Sequence, residues 1–261
     1  MTARRAPFAV SLTAVLTYAF MHLPLLVLIA FSFNRSRFGV QWGGFTLDWY
    51  ARLASRPDIL RALRLSLVVG LLSTLLATAL GTLASLALAR HLPRARRAAG
   101  ALLYLPIVTP EIIAGVSLLV LFSWLGIALG ITTIVIAHTA FSIPFVTVVL
   151  LARLQGSDRS LEEAAMSLGA DEFATFRRVT LPQLMPGVLA GALLAFTLSF
   201  DDFVITFFVA GVGSTTLPLA VYSMVRKSVE PTINALSALL VIGTTVAVYL
   251  ADRLARGSAR A

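Results

Sequence analysis

The sequence has no cysteine, a single lysine (Lys227) and little charge: 13% of its 261 residues are Asp, Glu, Lys or Arg. The missing cysteines exclude disulfides and thiolate metal sites. The low charge excludes an ordinary soluble domain, in which about a quarter of the residues would be charged. No H-E-x-x-H pair and no serine-nucleophile motif is present, which leaves an intramembrane enzyme a weak reading. The net charge of +9 is nearly all arginine. Cytoplasmic loops of membrane proteins collect basic residues, so this excess implies no nucleic-acid partner.

What is present is apolar. Hydrophobic residues make up 58% of the chain, in runs of about 20, the length that crosses a hydrocarbon core. The expected fold class is all-α: a polytopic membrane protein with six transmembrane helices in a single domain. The spans are expected at about 8–33, 65–89, 98–122, 127–152, 185–210 and 233–251, with a long polar loop at 153–182. Arg4 and Arg5 precede the first run, which is too long for the core of a signal peptide and is read as an uncleaved helix. Pro24, Pro106, Pro110 and Pro144 do not veto spans, because neighbouring helices re-satisfy the backbone. Arginines at 90, 94, 96, 97, 153, 159, 177 and 178 place their loops, and with them both termini, on the cytoplasmic side. Membrane lipid is the surrounding partner.

The first outer loop carries Phe38, Trp42, Phe45, Trp49 and Tyr50, residues that suit a membrane interface or a platform for an external partner. Ile59, Leu60 and Leu63, with arginines between, predict a short amphipathic helix lying on the bilayer. A tight turn is expected at Gly126–Gly130.

The loop at 153–182 reads as two short helices. Ser160 and Glu163 fit a capping box. Leu161, Ala164, Ala165 and Leu168 form a narrow apolar face. Gly169 suits the left-handed position that ends a helix. Asp171 is positioned to cap the next helix, which Pro182 is expected to stop. Such a hairpin either packs under the bundle or lies in another protein's groove.

Glu163-Ala164-Ala165, Gly169 four residues on and Leu181-Pro182 twelve further resemble the EAA loop of ABC importer permeases. Ser32–Phe38, Gly44–Tyr50, Phe196–Asp202, Leu217–Val225 and Glu230–Leu236 are similar to the second permease subunit of the spermidine/putrescine branch. The resemblance implies a type I importer permease fold in the bacterial inner membrane. It implies that Glu162, Glu163, Ala164, Ala165, Leu168 and Gly169 form the coupling helix that sits in a cleft of a cytoplasmic ATPase. Its implied partners are two ATPase subunits, a homologous second permease and a periplasmic binding protein, with a polyamine as cargo. The chain lacks a G-x-x-x-x-G-K-[ST] phosphate loop, so no cofactor is expected on it, and ATP and Mg belong to the ATPase subunits.

Glu111, Asp201 and Asp202 lie inside apparent spans with no Arg or Lys at similar depth. Ionisable groups there face a cavity or a partner. At roughly 1.5 Å per residue, Glu111 and Asp201 fall at similar depth. Adjacent helical residues point about 100° apart, so one aspartate of the pair is expected to face the pathway. Unpaired acids suit a polycation; inter-helix hydrogen bonding is the alternative. Tyr104, Trp124 and Tyr222 offer cation–π faces or are packing residues. His22 and His138 are read as satisfied core histidines. The remaining alternatives are an importer of an iron(III), thiamine or phosphonate compound, and an ion-coupled secondary transporter.

Overall fold

The computed structural model describes residues 8–36, 41–91, 96–156, 158–227 and 231–258. Arg4, Arg5, Phe38, Arg94 and Glu230, to which the sequence assigns roles, lie outside these residues. Among the described residues the fold is helical, and its one extended pairing is an isolated antiparallel bridge between Asn34 and Phe45. The chain divides into two compact units, residues 1–60 with 221–261, and residues 61–220.

The first unit contains α1 (Phe8–Phe31), α2 (Asp48–Ala54) and α12 (Pro231–Ser258). α12 packs on both α1 and α2. The loop between α1 and α2 is folded around Asn34, which is fully buried. The Asn34 side-chain oxygen accepts the N–H groups of Ser36 (3.1 Å) and Gly43 (2.8 Å), and its amide donates to the Gln41 carbonyl (2.8 Å). Trp49 donates its indole N–H to the Asn34 carbonyl at 2.8 Å, and the Tyr50 hydroxyl bonds Ser32 Oγ at 2.6 Å. These two aromatics therefore hold the loop together, whereas Trp42 and Phe45 stay exposed. The short helix expected around Ile59 is instead the start of α3 (Pro57–Leu86). Pro57 and Asp58 are both favourable at a helix N-terminus, and no breaker follows.

The second unit holds most of α3, then α4 (Arg96–Val108), α5 (Glu111–Trp124), α6 (Ile131–Gln155), α7 (Ser160–Ser167), α8 (Glu172–Thr175), α9 (Leu181–Asp201), α10 (Val204–Val209) and the start of α11 (Leu217–Lys227). α6 is the central post and packs mainly on α9. Ala77, Val146, Leu150 and Ala195 form one core cluster; Val69, Phe122, Ile134, Ala137, Ile205 and Val209 form another. Small residues set the spacing, as in other membrane bundles. A Cβ on Gly81 of α3 would stand 2.8 Å from Val146, and one on Gly115 of α5 would stand 2.7 Å from Phe208.

Two expected spans are interrupted. Residues 98–122 divide into α4 and α5, whose axes bend by 105°. Pro110 removes a backbone donor and disfavours helix at the residue before it, and its own ψ of 131° is extended. The span at 185–210 breaks at Asp202, between α9 and α10. Among the described residues, four helices are long and apolar enough to cross a membrane, or five if the bent pair counts as one; the apolar part of α12, Pro231–Val246, is shorter. The six-span expectation is thus met as a helical membrane architecture and not helix for helix. The Gly126 turn forms as expected, with φ +67° and the Ile127 N–H bonded to the Phe122 carbonyl at 2.9 Å.

Gly211 abuts backbone: a Cβ there would lie 1.9 Å from the Leu129 carbonyl oxygen. Gly211→Ala should destabilise the protein by roughly 1–3 kcal/mol, the usual range for overpacking. Gly100→Ala, which meets open space, should not. Thermal unfolding midpoints in detergent compare the two.

Candidate functional site

Ser160 does not form a capping box, because Asp158 Oδ1 accepts the Ser160 N–H at 2.9 Å and Arg159 caps α7 without a side-chain bond. An ionised carboxylate is the stronger acceptor, and the Ser160 hydrogen bonds hold the Asp158 carboxyl below the usual aspartate range. Glu163 points into solvent, 4.0 Å from Arg159. The other end of α7 follows expectation. Gly169 adopts φ +89°, the Ala170 N–H reaches the Ala165 carbonyl (3.1 Å), and the Gly169 N–H reaches Met166 (3.0 Å). That is a complete Schellman ending. Asp171 then caps α8 by accepting the Ala174 N–H at 2.6 Å.

Pro182 does not stop a helix. A widened π-helical turn, Phe176–Thr180, carries α8 into α9, and residues Glu172–Asp201 run as one 30-residue helix. Proline has no N–H to give the carbonyl one turn back, and a π turn absorbs that mismatch. A second π turn, Ala87–His91, ends α3 and carries Arg90. Arg90 forms an ion pair with Glu162, whose Oε1 also accepts the Thr180 hydroxyl at 2.7 Å. Glu162 is 12% exposed. This one carboxylate therefore ties α7 both to the end of α3 and to the root of α9. From the sequence Arg90 carries only a topological signal, because 72 residues separate it from Glu162. On the opposite side of α7, Leu161 and Ala164 are exposed and Leu168 is 90% exposed, while Ala165 is half-buried.

The second cluster lies at the break after α9. Asp201 ends that helix with its side chain exposed. Asp202 is extended (φ −65°, ψ 123°), so the 100° helical offset between the two does not apply. Its Oδ1 accepts the Ile205 N–H at 3.2 Å, and its Oδ2 accepts the N–H and the hydroxyl of Thr206, each at 2.8 Å. His138 Nε2, from α6, lies 3.1 Å from the same Oδ2 and 2.9 Å from Thr206 Oγ1. His138 Nδ1 lies 2.7 Å from Ser199 Oγ, which accepts the Ser73 hydroxyl at 2.9 Å. An ionised carboxylate can only accept, so Nε2 carries the hydrogen, and in the neutral ring Nδ1 accepts from Ser199. Ser199, His138 and Asp202 are the residue types of a hydrolase triad. Here each is enclosed by partners, so Ser199 is not a free nucleophile.

The remaining sequence candidates are dispersed. Glu111 is exposed in the first turn of α5, beyond the bend, so the depth estimated from a continuous helix does not hold. Tyr104 on α4, Trp124 at the end of α5 and Tyr222 on α11 are 55%, 82% and 43% exposed. The cation–π contact in the described residues is Arg52 over Trp49, at 4.9 Å. His138 is the buried, satisfied histidine expected; His22 is exposed on α1 and bonds the Tyr18 carbonyl.

Comparison with known proteins gives a consistent picture. The model of the family described as "binding-protein-dependent transport system inner membrane component" matches residues 1–260. The spermidine/putrescine transport system permease protein PotC of Escherichia coli (strain K12) is 42% identical over 239 residues, covering 92% of this chain and 90% of that protein. The putrescine transport system permease protein PotI of the same strain is 40% identical over 255 residues, 95% of this chain and 90% of that one. Among solved structures, a bacterial ABC transporter involved in the import of alginate superposes with a TM-score of 0.75 at 16% identity, over 95% of this chain and 94% of that one. At that identity the likeness concerns the fold alone.

The Arg90–Glu162 pair should show coupling of roughly 1–3 kcal/mol, as contacting residues in one network do. Arg90→Ala and Glu162→Ala should each lower the unfolding midpoint, the double variant should fall short of their sum, and a double-mutant cycle measures the difference.

Proposed function

The chain belongs to the family of binding-protein-dependent transport system inner membrane components, and from that premise we propose that it is the permease subunit of an ATP-driven importer of polyamines of the spermidine/putrescine class. It is a transport subunit and not an enzyme. The observation that carries the cargo class is its 42% identity with PotC over nearly its whole length; Asp201, exposed at a helix break, supports it. The whole chain acts as one transmembrane permease domain in the bacterial inner membrane, with both termini in the cytoplasm. Its partners are two ATPase subunits that bind ATP and Mg, a second homologous permease, and a periplasmic binding protein that delivers the cargo.

The exposed apolar side of α7, with Leu161, Ala164 and Leu168, lies in a groove of one ATPase subunit. Glu163 stands beside it as an available carboxylate, and Gly169 lets the chain turn away. Glu162 and Ala165 face inward and transmit displacement to α9. Twenty residues along that helix, roughly 30 Å at 1.5 Å each, Asp201 meets the cargo. Ammonium groups exchange part of their hydration for Asp201 and Glu111, while Tyr104 and Trp124 supply aromatic faces. Asp202 serves the pathway from within its wall. Weak, separated sites favour entry without trapping the cation.

Importers of an iron(III), thiamine or phosphonate compound remain the related alternatives. A phosphonate pathway would want cationic side chains, whereas the described arginines of α3, α6 and α9's approach sit at helix ends.

Asp201→Asn should cut spermidine or putrescine uptake by at least about tenfold in proteoliposomes with the complete transporter, while assembly persists; uptake at the wild-type rate would remove Asp201 from the pathway. Glu163→Ala and Gly169→Pro should detach or uncouple the ATPase subunits, read as ATP hydrolysis without uptake or as loss of co-purification. Uptake driven by a proton gradient alone would favour an ion-coupled carrier instead.

A further inference from the structure

Asp202 is a carboxylate set beside Asp201 and then engaged entirely by its own fold. Two of its partners, Ile205 and Thr206, are local and cap α10. Any aspartate at a helix start could make such bonds. The third partner is not local. His138 comes from α6 and is 2% exposed. It is oriented from its far side by Ser199 of α9, which in turn receives the Ser73 hydroxyl of α3. The ring is thus fixed by two helices and grips the residue that follows the end of α9. One peptide bond before that residue is Asp201, whose side chain is exposed.

We propose that His138 is a positioning residue for cargo transfer: by holding Asp202 in the wall between α6 and α10, it fixes the end of α9 and leaves Asp201 as the one carboxylate of the pair presented to the translocated cation. This rests on the reading that Asp201 meets the cargo. The cap restrains Asp202 relative to α10 only. Thr133 ties the far end of that short helix to α6 at the Val209 carbonyl, and His138, which contacts both Asp202 (3.1 Å) and Thr206 Oγ1 (2.9 Å), ties the near end, where α9 stops, to the same post. A leucine at 138 fills much of the space and offers no N–H. A glutamine places an amide N–H near the position of Nε2, so it can hold Asp202 without a titratable ring.

The test uses the complete transporter in lipid nanodiscs and proteoliposomes. The chain has no native cysteine, so Asp201→Cys supplies its one thiol, labelled with a membrane-impermeant cationic methanethiosulfonate and read on this subunit after separation. His138→Leu should change the labelling rate by about tenfold, and in the Asp201 protein should cut ATP-driven putrescine uptake by a similar factor, since misplacement by about an ångström costs at least that much. His138→Gln should restore both towards wild type. A His138→Leu transporter that assembles, labels and transports as wild type overturns the proposal, as does a His138→Gln variant as impaired as the leucine. Should the leucine variant not assemble, Asp202→Asn takes its place: it keeps a cap acceptor for α10 and loses the carboxylate's hold on His138, and unchanged labelling and uptake there overturn the proposal equally. Labelling reads geometry whatever the cargo. Altered labelling alongside normal uptake by Asp201→Asn would therefore fault the cargo reading and spare the geometry.

Discussion

In hydrocarbon a polar group has no water to fall back on, so each break in a helix has to be closed by the protein itself. This requirement governs the second unit. α10 is six residues long and carries unpaired groups at both ends. Its first N–H groups are taken by Asp202, and its last carbonyl, that of Val209, accepts the Thr133 hydroxyl of α6 at 2.8 Å. The Leu217 N–H, at the start of α11, goes to Ser66 Oγ of α3 at 2.8 Å. Side chains from distant helices thus do what water does at the ends of helices in soluble proteins, and they fix where each short helix lies.

The same solvent removes the usual reason for helices to associate. Lipid is as apolar as leucine, so packing has to come from close approach and hydrogen bonds. That accounts for the glycines of α3, α5 and α9 facing Val146, Phe208 and again Val146. It also explains the concentration of hydroxyls along α3 and α6, where Ser73, Thr133 and Thr147 each bond another helix. α6 can be the post because it offers both modes at once.

What could be read from the sequence was local. The αL ending at Gly169, the Asp171 cap and the Gly126 turn each depend on a few neighbouring residues whose chemistry has one good solution. The helical class was legible through composition, and the family through motif spacing. The helix breaks were not, because a run such as 185–210 is apolar on either side of Asp202, and the contact that holds Asp202 from outside its own segment comes from His138, in a different helix. Pro110 was visible but ambiguous, since prolines at 24, 106, 144 and 186 all lie inside helices. Arg90 with Glu162 was hidden for the same reason as His138 with Asp202: each is a pairing between residues far apart in the chain, and periodicity carries no information about it.

Those two pairings lie at the two ends of one helix, and their kind matters more than their strength. Apolar side chains sliding past each other meet many nearly equal arrangements. An ion pair or a histidine–carboxylate bond has a made state, a broken state and little between, which is the property a switching element needs. From Leu181, next to Thr180 and its bond to Glu162, to Asp201, next to Asp202 and its contact with His138, α9 is continuous helix over roughly 30 Å at 1.5 Å per residue. A helix restrained by discrete contacts at both ends has few positions intermediate between one arrangement and another. Whether coupling passes along it is a question of two states biased from two sites, not of proximity. In the proposed roles Glu162 and His138 hold the two ends of α9 in one of those states.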